Sequence, residues 1–263
     1  GTKKSKPKPE FVPEEPVEEE QEDPEVIEAI NECHTEPSGT LSEFISTTTP
    51  VPVYQDAALK VAAFIKKGSV ALAVFNHSRK HLKDVVIEIN GPESLVKDVV
   101  THPANISILP RECAVNYMVT YHIPSKLDQF PEFKFSAKIQ SEGGRMAVFG
   151  LPMNITSFIE PMEATTQQFG GHWKAGGAQV DYTFPRDHQF TLDDVSHILN
   201  TEFGMKTVQR IGTEEIFMGL LTTTPLKVLY HVKFGNVHSE IKVLTKARPF
   251  TNSLVAALKS RFG

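Results

Sequence analysis

From about Thr47 to Val148 apolar residues recur at every second position, and this alternation constrains the fold more than any other feature of the chain. Val115, Tyr117, Val119 and Tyr121 alternate with Ala114, Asn116, Met118 and Thr120, and Phe133, Phe135, Ala137 and Ile139 alternate with Lys134, Ser136, Lys138 and Gln140. Successive side chains of a strand point to opposite faces, so this period gives each segment one apolar face. Residues 59–66, 69–76, 84–90 and 105–109 are further strand candidates, with turns at Lys67-Gly68, Asn90-Gly91-Pro92 and 141–144. Short strands, regular turns and no clear helix predict an antiparallel, immunoglobulin-like β-sandwich over residues 47–150.

After Pro152 the pattern changes. Residues 162–174 read as a helix that places Phe169 and Trp173 one turn apart on one face. Thr191 reads as the N-cap of a second helix, with Asp193 and Asp194 in its first turn and Leu192, Val195, Ile198 and Leu199 on its apolar side. Strands are expected at 207–211, 216–223, 226–234 and 239–246. A last helix is expected over 249–262, with Pro249 in its first turn and Phe250, Leu254, Val255 and Leu258 inward. Strands flanked by helices predict an α+β unit with an antiparallel sheet over residues 151–263, the boundary falling near Gly150.

The N-terminal segment differs from both. Twelve acids and four lysines give its first 36 residues a charge of −8, while the remaining 227 residues carry +3, and together they make the net −5. Pro7, Pro9, Pro13, Pro16 and Pro24 oppose helix formation, and the segment has few apolar residues to offset chain entropy. Residues 1–46 are expected to form a disordered acidic linker, with a short helix compatible with 24–33.

No run of 18 apolar residues predicts a membrane span, and no apolar leader follows the N-terminus. Cys33 and Cys113 are too few for a disulfide framework, so a cytoplasmic setting is expected. The Gly-Thr start suggests a piece of a larger chain.

Chemistry-bearing motifs are sparse. The sequence has no Gly-x-Ser-x-Gly, no phosphate-loop Gly-Lys-Ser/Thr and no Cys-x-x-Cys. His77 and His81 have a metal-like spacing, but the surrounding Asn-His-Ser-Arg-Lys-His reads as a polar loop. We therefore expect no catalytic residues, no metal and no cofactor; a binding module fits the chain better than an enzyme.

Two features point to a binding surface. Trp173, the one tryptophan, follows Gly170 and Gly171, and each glycine costs up to ~1 kcal/mol in a helix interior. Such a helix suits a shelf that a ligand approaches closely. Near the C-terminus, a hairpin loop at 236–239 would place Phe234 opposite Ile241 and Lys233 opposite Lys242. Residues 226–262 hold seven bases and one acid, which suits an anion. The body as a whole has no basic stripe of the kind nucleic-acid binding requires.

The run from Gly150 to Glu163, followed by Gln168-Phe169-Gly170-Gly171-His172-Trp173-Lys174, resembles the start of the platform subdomain in clathrin-adaptor appendages, or ears. The likeness is greatest to alpha-adaptin of the plasma-membrane adaptor and spans residues 48–263. Val53-Tyr54-Gln55-Asp56-Ala57-Ala58-Leu59-Lys60-Val61 is similar to the family's first sandwich strand. Beta-adaptin and coatomer gamma ears share the plan and remain alternatives, as does an uncharacterised enzyme with an Ig-like accessory domain.

The resemblance implies a peptide-recognition module, cytoplasmic and peripheral at clathrin-coated pits or vesicles. Its partners would be disordered endocytic accessory proteins with Asp-Pro-Phe/Trp or Phe-x-Asp-x-Phe motifs. Other subunits of a heterotetrameric adaptor would bind through a missing trunk, membrane association would be indirect, and nucleic acid is not expected. The implied site comprises Trp173, Phe169, Gly170, His172, Lys233 and Lys242. Gly170 stands where alpha ears have a second aromatic, and Gly235 where they have an acid. Both departures imply a flatter or wider pocket.

Overall fold

A computed structural model describes residues 22–124, 131–185, 190–222 and 225–263. Helix α1 spans Pro24–Cys33, with Pro24 in its first turn and the Asp23 carboxylate accepting from the Glu25 N–H. Helix α2 spans Gly39–Ser46. The short helix expected at 24–33 is present, but the disordered linker expected over 1–46 needs correction where α2 forms and packs, while residues 1–21 lie outside the described residues. Val26, Ala29 and Leu41 are all buried, and Leu41, with Phe44 and Ile45, packs on Phe64, Ala71 and Met118 of the sandwich. A few apolar anchors at helical spacing outweigh an acidic average composition once a second apolar surface is available to them.

The sandwich strands are β1 (Val51–Gln55), β2 (Leu59–Lys66), β3 (Ser69–Asn76), β4 (Val86–Asn90), β5 (Val96–His102), β6 (Ala114–His122), β7 (Phe135–Ser141) and β8 (Arg145–Leu151). One sheet runs β1-β2-β3-β6-β5 and the other β4-β7-β8, with every pairing antiparallel. The alternation found β2 and β3 to the residue. It also led to a strand at 105–109 that does not form: there, Leu109 makes only an isolated bridge to Leu82. The neighbouring strand is instead β5, whose residues 96–100 are all exposed and therefore show no apolar period.

Two conformationally demanding residues, Lys67 at φ 52° and Gly68 at φ 74°, turn β2 into β3. Gly68 also touches the second unit. Its N–H donates to the Ser157 carbonyl at 2.9 Å, and a Cβ on it would lie 2.8 Å from the Phe158 ring. Phe158 is fully buried and packs edge-on against Phe133, so the core passes without a break from the sandwich through Ile155 and Phe158.

Beyond a short 3-10 turn, Ile155–Phe158, come β9 (Ile159–Pro161), α3 (Thr166–Lys174), β10 (Ala178–Pro185), α4 (Leu192–Thr201), β11 (Lys206–Ile211), β12 (Glu214–Leu221), β13 (Leu226–Phe234), β14 (His238–Thr245) and α5 (Arg248–Phe262). The sheet order is β10-β14-β13-β12-β11, with β9 also on β12. Residue 223, the end of one expected strand, lies outside the described residues. Thr191 caps α4 reciprocally with Asp194, as its spacing suggests.

The sheet is apolar on both faces. Phe217, Val228, Tyr230, Val232, Ile241 and Val243 join the main core with Val195, Leu199, Phe250, Leu254 and Leu258 of α4 and α5. Met218, Leu229 and Leu244 form a smaller cluster on the other face, and Phe169 of α3 covers them. The architecture is therefore mostly antiparallel sheet with few helices, a sandwich followed by an α+β unit.

Candidate functional site

Helix α3 begins with a reciprocal cap: the Gln168 N–H donates to Thr165 Oγ1 at 3.2 Å, and the Thr165 N–H donates to Gln168 Oε1 at 2.8 Å. At the other end the Lys246 ammonium donates to the carbonyls of Ala175 and Gly176, placing a cation where a helix terminus favours one. Thr166 Oγ1 donates to Gln209 Oε1 of β11 at 2.7 Å, so the helix is tied to the sheet by Gln209 at its start and by Lys246 at its end. This fixes the glycines between them.

Phe169 is buried beneath α3 and stacks on Trp173 with centroids 5.5 Å apart. It supports the shelf from below rather than offering a surface to a ligand. Trp173 is half-buried, and its ring meets that of His231 at 90°, with 6.1 Å between centroids. Beside them lies an open groove of about 350 Å³ lined by Thr166, Gln209, Ile211, Glu214, Ile216 and His231. Thr166, Gly170 and Trp173 follow one another at i, i+4 and i+7, so Gly170 stands on the helix wall between the other two. A Cβ there would meet nothing within 4 Å.

The paired lysines require a correction. Lys233 lies opposite Glu240, and Lys242 lies opposite His231. The hairpin turns more tightly than the expected 236–239 loop, so the register shifts by two residues and Phe234 faces Ser239 rather than Ile241. A glycine is required here: a Cβ on Gly235 would lie 2.1 Å from the His238 carbonyl oxygen. Because the shift is even, both lysines keep the expected face, but as diagonal neighbours. Lys233 lies 3.8 Å from Glu214, and Lys242 lies 3.8 Å from Glu240. Glu214 Oε2 also lies 2.9 Å from His231 Nε2. The local basic excess is therefore met by acids, including Glu214 of the adjacent strand, which a count along residues 226–262 does not contain.

His172 is not brought to the groove. It lines a smaller cavity of about 150 Å³ on the other flank of α3, with Lys227, Leu229 and Lys246. Burial first, then the charges of Lys227 and Lys246, pushes its imidazole below the usual histidine range. None of the six expected site residues lines the groove itself: Trp173 borders it through its ring contact with His231, Gly170 stands one helical turn after the lining residue Thr166, Phe169 lies beneath Trp173, and Lys233 lies 3.8 Å from the lining residue Glu214. Lys242 sits farther along the sheet and His172 on the other flank.

His231, Glu214, Ile216 and Gln209 were missed. His231 could have been found from the alternation Lys227, Leu229, His231, Lys233 along β13. Glu214 and Gln209 come from neighbouring strands and needed the register.

The loop with His77 and His81 gathers no ligand set. His77 Nε2 lies 2.8 Å from the Asp56 carbonyl oxygen, and His81 Nδ1 accepts from the Arg111 N–H at 3.2 Å. Among the described residues no cluster of three or more His, Cys, Asp or Glu residues could hold a metal, and no helix is long and apolar enough to cross a membrane.

With this geometry in place, comparison with known proteins is informative for one part of the chain. Residues 161–261 match the family model described as the adaptin AP4 complex epsilon appendage platform. This second half is thus similar to an adaptor-type appendage platform, and the matched model is that of an epsilon chain rather than alpha-adaptin. No curated protein matches the chain. Among solved structures, the GAE domain of GGA2p from Saccharomyces cerevisiae aligns at 17% identity over 40% of this chain and 98% of its own, with a TM-score of 0.27. The yeast GGA1 GAE domain-P21 structure aligns at 13% identity over 40% and 100%, with a TM-score of 0.29. The secreted serine protease VesC from Vibrio cholerae aligns at 10% identity over 74% and 48%, with a TM-score of 0.28. TM-scores this low add nothing to the assignment.

Proposed function

We propose that this chain is a non-enzymatic appendage of a vesicle-coat adaptor, in which a sandwich over 47–150 carries a peptide-binding platform over 151–263. The observation that carries the reading is the open groove beside Trp173, with Gly170 leaving one wall bare. A ligand aromatic or large aliphatic side chain would lie over Gly170, between Trp173 and Ile216. Burying such a side chain supplies most of the affinity in small peptide interfaces. Because Lys233 and Lys242 already face Glu214 and Glu240, an acid on the ligand adds little, and a peptide N–H or hydroxyl donating to Glu214 fits the rim better. The aromatic half of an Asp-Pro-Phe/Trp or Phe-x-Asp-x-Phe motif therefore matters more than its acid.

Partners of this kind would be disordered accessory proteins bearing several motifs, since weak single contacts gain from avidity. The platform match favours an AP4 epsilon-type coat over the plasma-membrane adaptor, and placement at clathrin-coated pits belongs to the less favoured reading. The test is fluorescence anisotropy with labelled peptides carrying each motif. Gly170→Trp fills the groove without a clash at Cβ and should weaken binding at least tenfold while the thermal midpoint holds. Unchanged binding by that variant would exclude the groove.

A further inference from the structure

A second surface, remote in the fold from the groove, lies on the loops at one end of the sandwich. Arg79, Lys80, His81 and Lys83 come from the β3–β4 loop, and Arg111 comes from the loop before β6. Together they line an open cleft of about 810 Å³ with Glu22, Asp23 and Val26. The two loops are joined by reciprocal backbone hydrogen bonds between Leu82 and Leu109, at 3.0 and 2.8 Å. The Asn76 amide adds bonds to the carbonyls of Lys80 and Leu109 at 2.8 and 3.0 Å. The cations are therefore mounted on a braced frame rather than on loose loops.

The cleft already holds carboxylates. Arg111 Nη2 donates to Glu22 Oε1 at 3.1 Å, and His81 Nε2 lies 3.4 Å from the same oxygen. Because the Arg111 N–H donates to Nδ1 of His81, Nε2 carries the ring proton and faces Glu22. Lys83 Nζ lies 3.6 Å from Asp23. Among the described residues neither Arg79 nor Lys80 pairs with an acid. Four formal cations and a histidine donor thus face two acids, leaving the cleft basic.

We propose that this cleft is a docking surface for an acidic peptide segment of a partner, and that the chain's own Glu22 and Asp23 hold it closed in cis. The bound species in view is a peptide: two successive carboxylates seat on the loops, and the chain then passes directly into α1, whose N-cap is Asp23. Tethering makes the cis contact equivalent to a millimolar local concentration, so an acidic segment in trans binds more weakly while the cis carboxylates are in place than after they are removed. Each exposed pair contributes little, so the surface selects for several acids in a row.

The experiment uses the full chain and a fluorescent peptide with the sequence of residues 10–23, which carries eight acids and no base. In 50 mM salt the Glu22→Gln/Asp23→Asn variant should bind it roughly three- to tenfold more tightly than the unaltered chain, the gain expected for two exposed ion pairs. Asn is an equally good N-cap, so α1 should persist, and far-UV circular dichroism checks this. Adding Arg111→Gln and Lys83→Gln should abolish the gain, as should 300 mM salt. No gain in the opened variant, or equal binding of a peptide with every Glu and Asp changed to Gln and Asn, overturns the proposal. If the opened variant binds phosphatidylserine vesicles or an oligonucleotide but not the acidic peptide, the assignment to a peptide partner is likewise overturned.

Discussion

The rings of Trp173 and His231 meet at right angles with 6.1 Å between centroids, and His231 is in turn held by Glu214 at 2.9 Å. The one tryptophan of the chain is thus positioned from the sheet as well as from its own helix. Trp173→Ala should cost about 1–2 kcal/mol, roughly half the penalty of truncating a fully buried aromatic, because the ring is only half-buried. His231→Ala should cost less but change the same ligand affinities. Urea unfolding of both variants, alongside peptide titration, separates the structural from the binding loss.

Gly170 and Gly171 both lie inside α3, and a Cβ on either meets nothing within 4 Å. Each substitution by Ala should therefore raise stability by about 0.5–1 kcal/mol, the helix-propensity difference. Gly170→Ala should also narrow the groove by one methyl group. A gain in the urea midpoint with weaker peptide binding is the expected result.

Gly68→Ala should act in the opposite direction. The residue sits at φ 74°, and its new Cβ would press on the Phe158 ring at 2.8 Å. Backbone strain and displacement of a buried ring together should cost about 2–4 kcal/mol. Gly143 has the same φ with nothing near its Cβ, so Gly143→Ala in the same unfolding assay isolates the strain from the contact.

Glu215 is almost wholly buried, and it accepts from Ser196 at 2.9 Å, Thr207 at 3.0 Å and Arg210 at 3.0 Å. Removing the cation with Arg210→Met leaves a buried carboxylate with neutral donors only, at an expected cost of about 3 kcal/mol, the lower end for breaking a buried pair because Arg210 is partly exposed. Arg210→Met/Glu215→Gln should recover most of that loss, which chemical denaturation of the single and double variants would show.

Asp56 links β1 to β2. Burial raises its carboxyl, but the Leu59 and Ala58 N–H groups, the Tyr54 hydroxyl and Arg145 outweigh this and hold it below the usual carboxylate range. A depressed folded value adds stability above the unfolded value, and that stability is lost as pH falls through the folded one. Stability should therefore decline below about pH 4, and Asp56→Asn should flatten that part of the profile while lowering the plateau.

Burial, followed by the neighbouring Cys113, pushes the Cys33 thiol up to about 12. Thiolate is the reactive form, so Cys33 in the folded chain should react with a disulfide reagent at pH 8 far more slowly than a free thiol. Substituting Val26 by Asp, which should dislodge α1 from its apolar contacts, should restore a normal rate.

Much of the fold is legible in the residues themselves. A period of two is a local property of a strand with one buried face, so β2, β3 and β13 can be read to the residue. The cap at Thr191 is local too, as is the helix ending at Lys174, although that helix starts at Thr166 rather than at the expected 162. Strands without a buried face, such as β5, carry no such signal. The helix at 24–33 is readable in the sequence, whereas the one at 39–46 depends on a surface supplied by Phe64 and Met118, far along the chain, which no local composition can report.

For the candidate site the division is similar. Trp173, Gly170 and the face shared by Lys233 and Lys242 follow from helical spacing and strand parity, which the sequence alone determines. Only the tertiary structure decided what those groups meet. A two-residue change in hairpin register brought Glu240 opposite Lys233, and strand order brought Glu214 beside His231, turning an expected basic patch into a balanced rim. The reason is physical: periodicity assigns a side chain to a face, but its partners across the sheet are set by turn length and strand neighbours, which depend on the whole packed core.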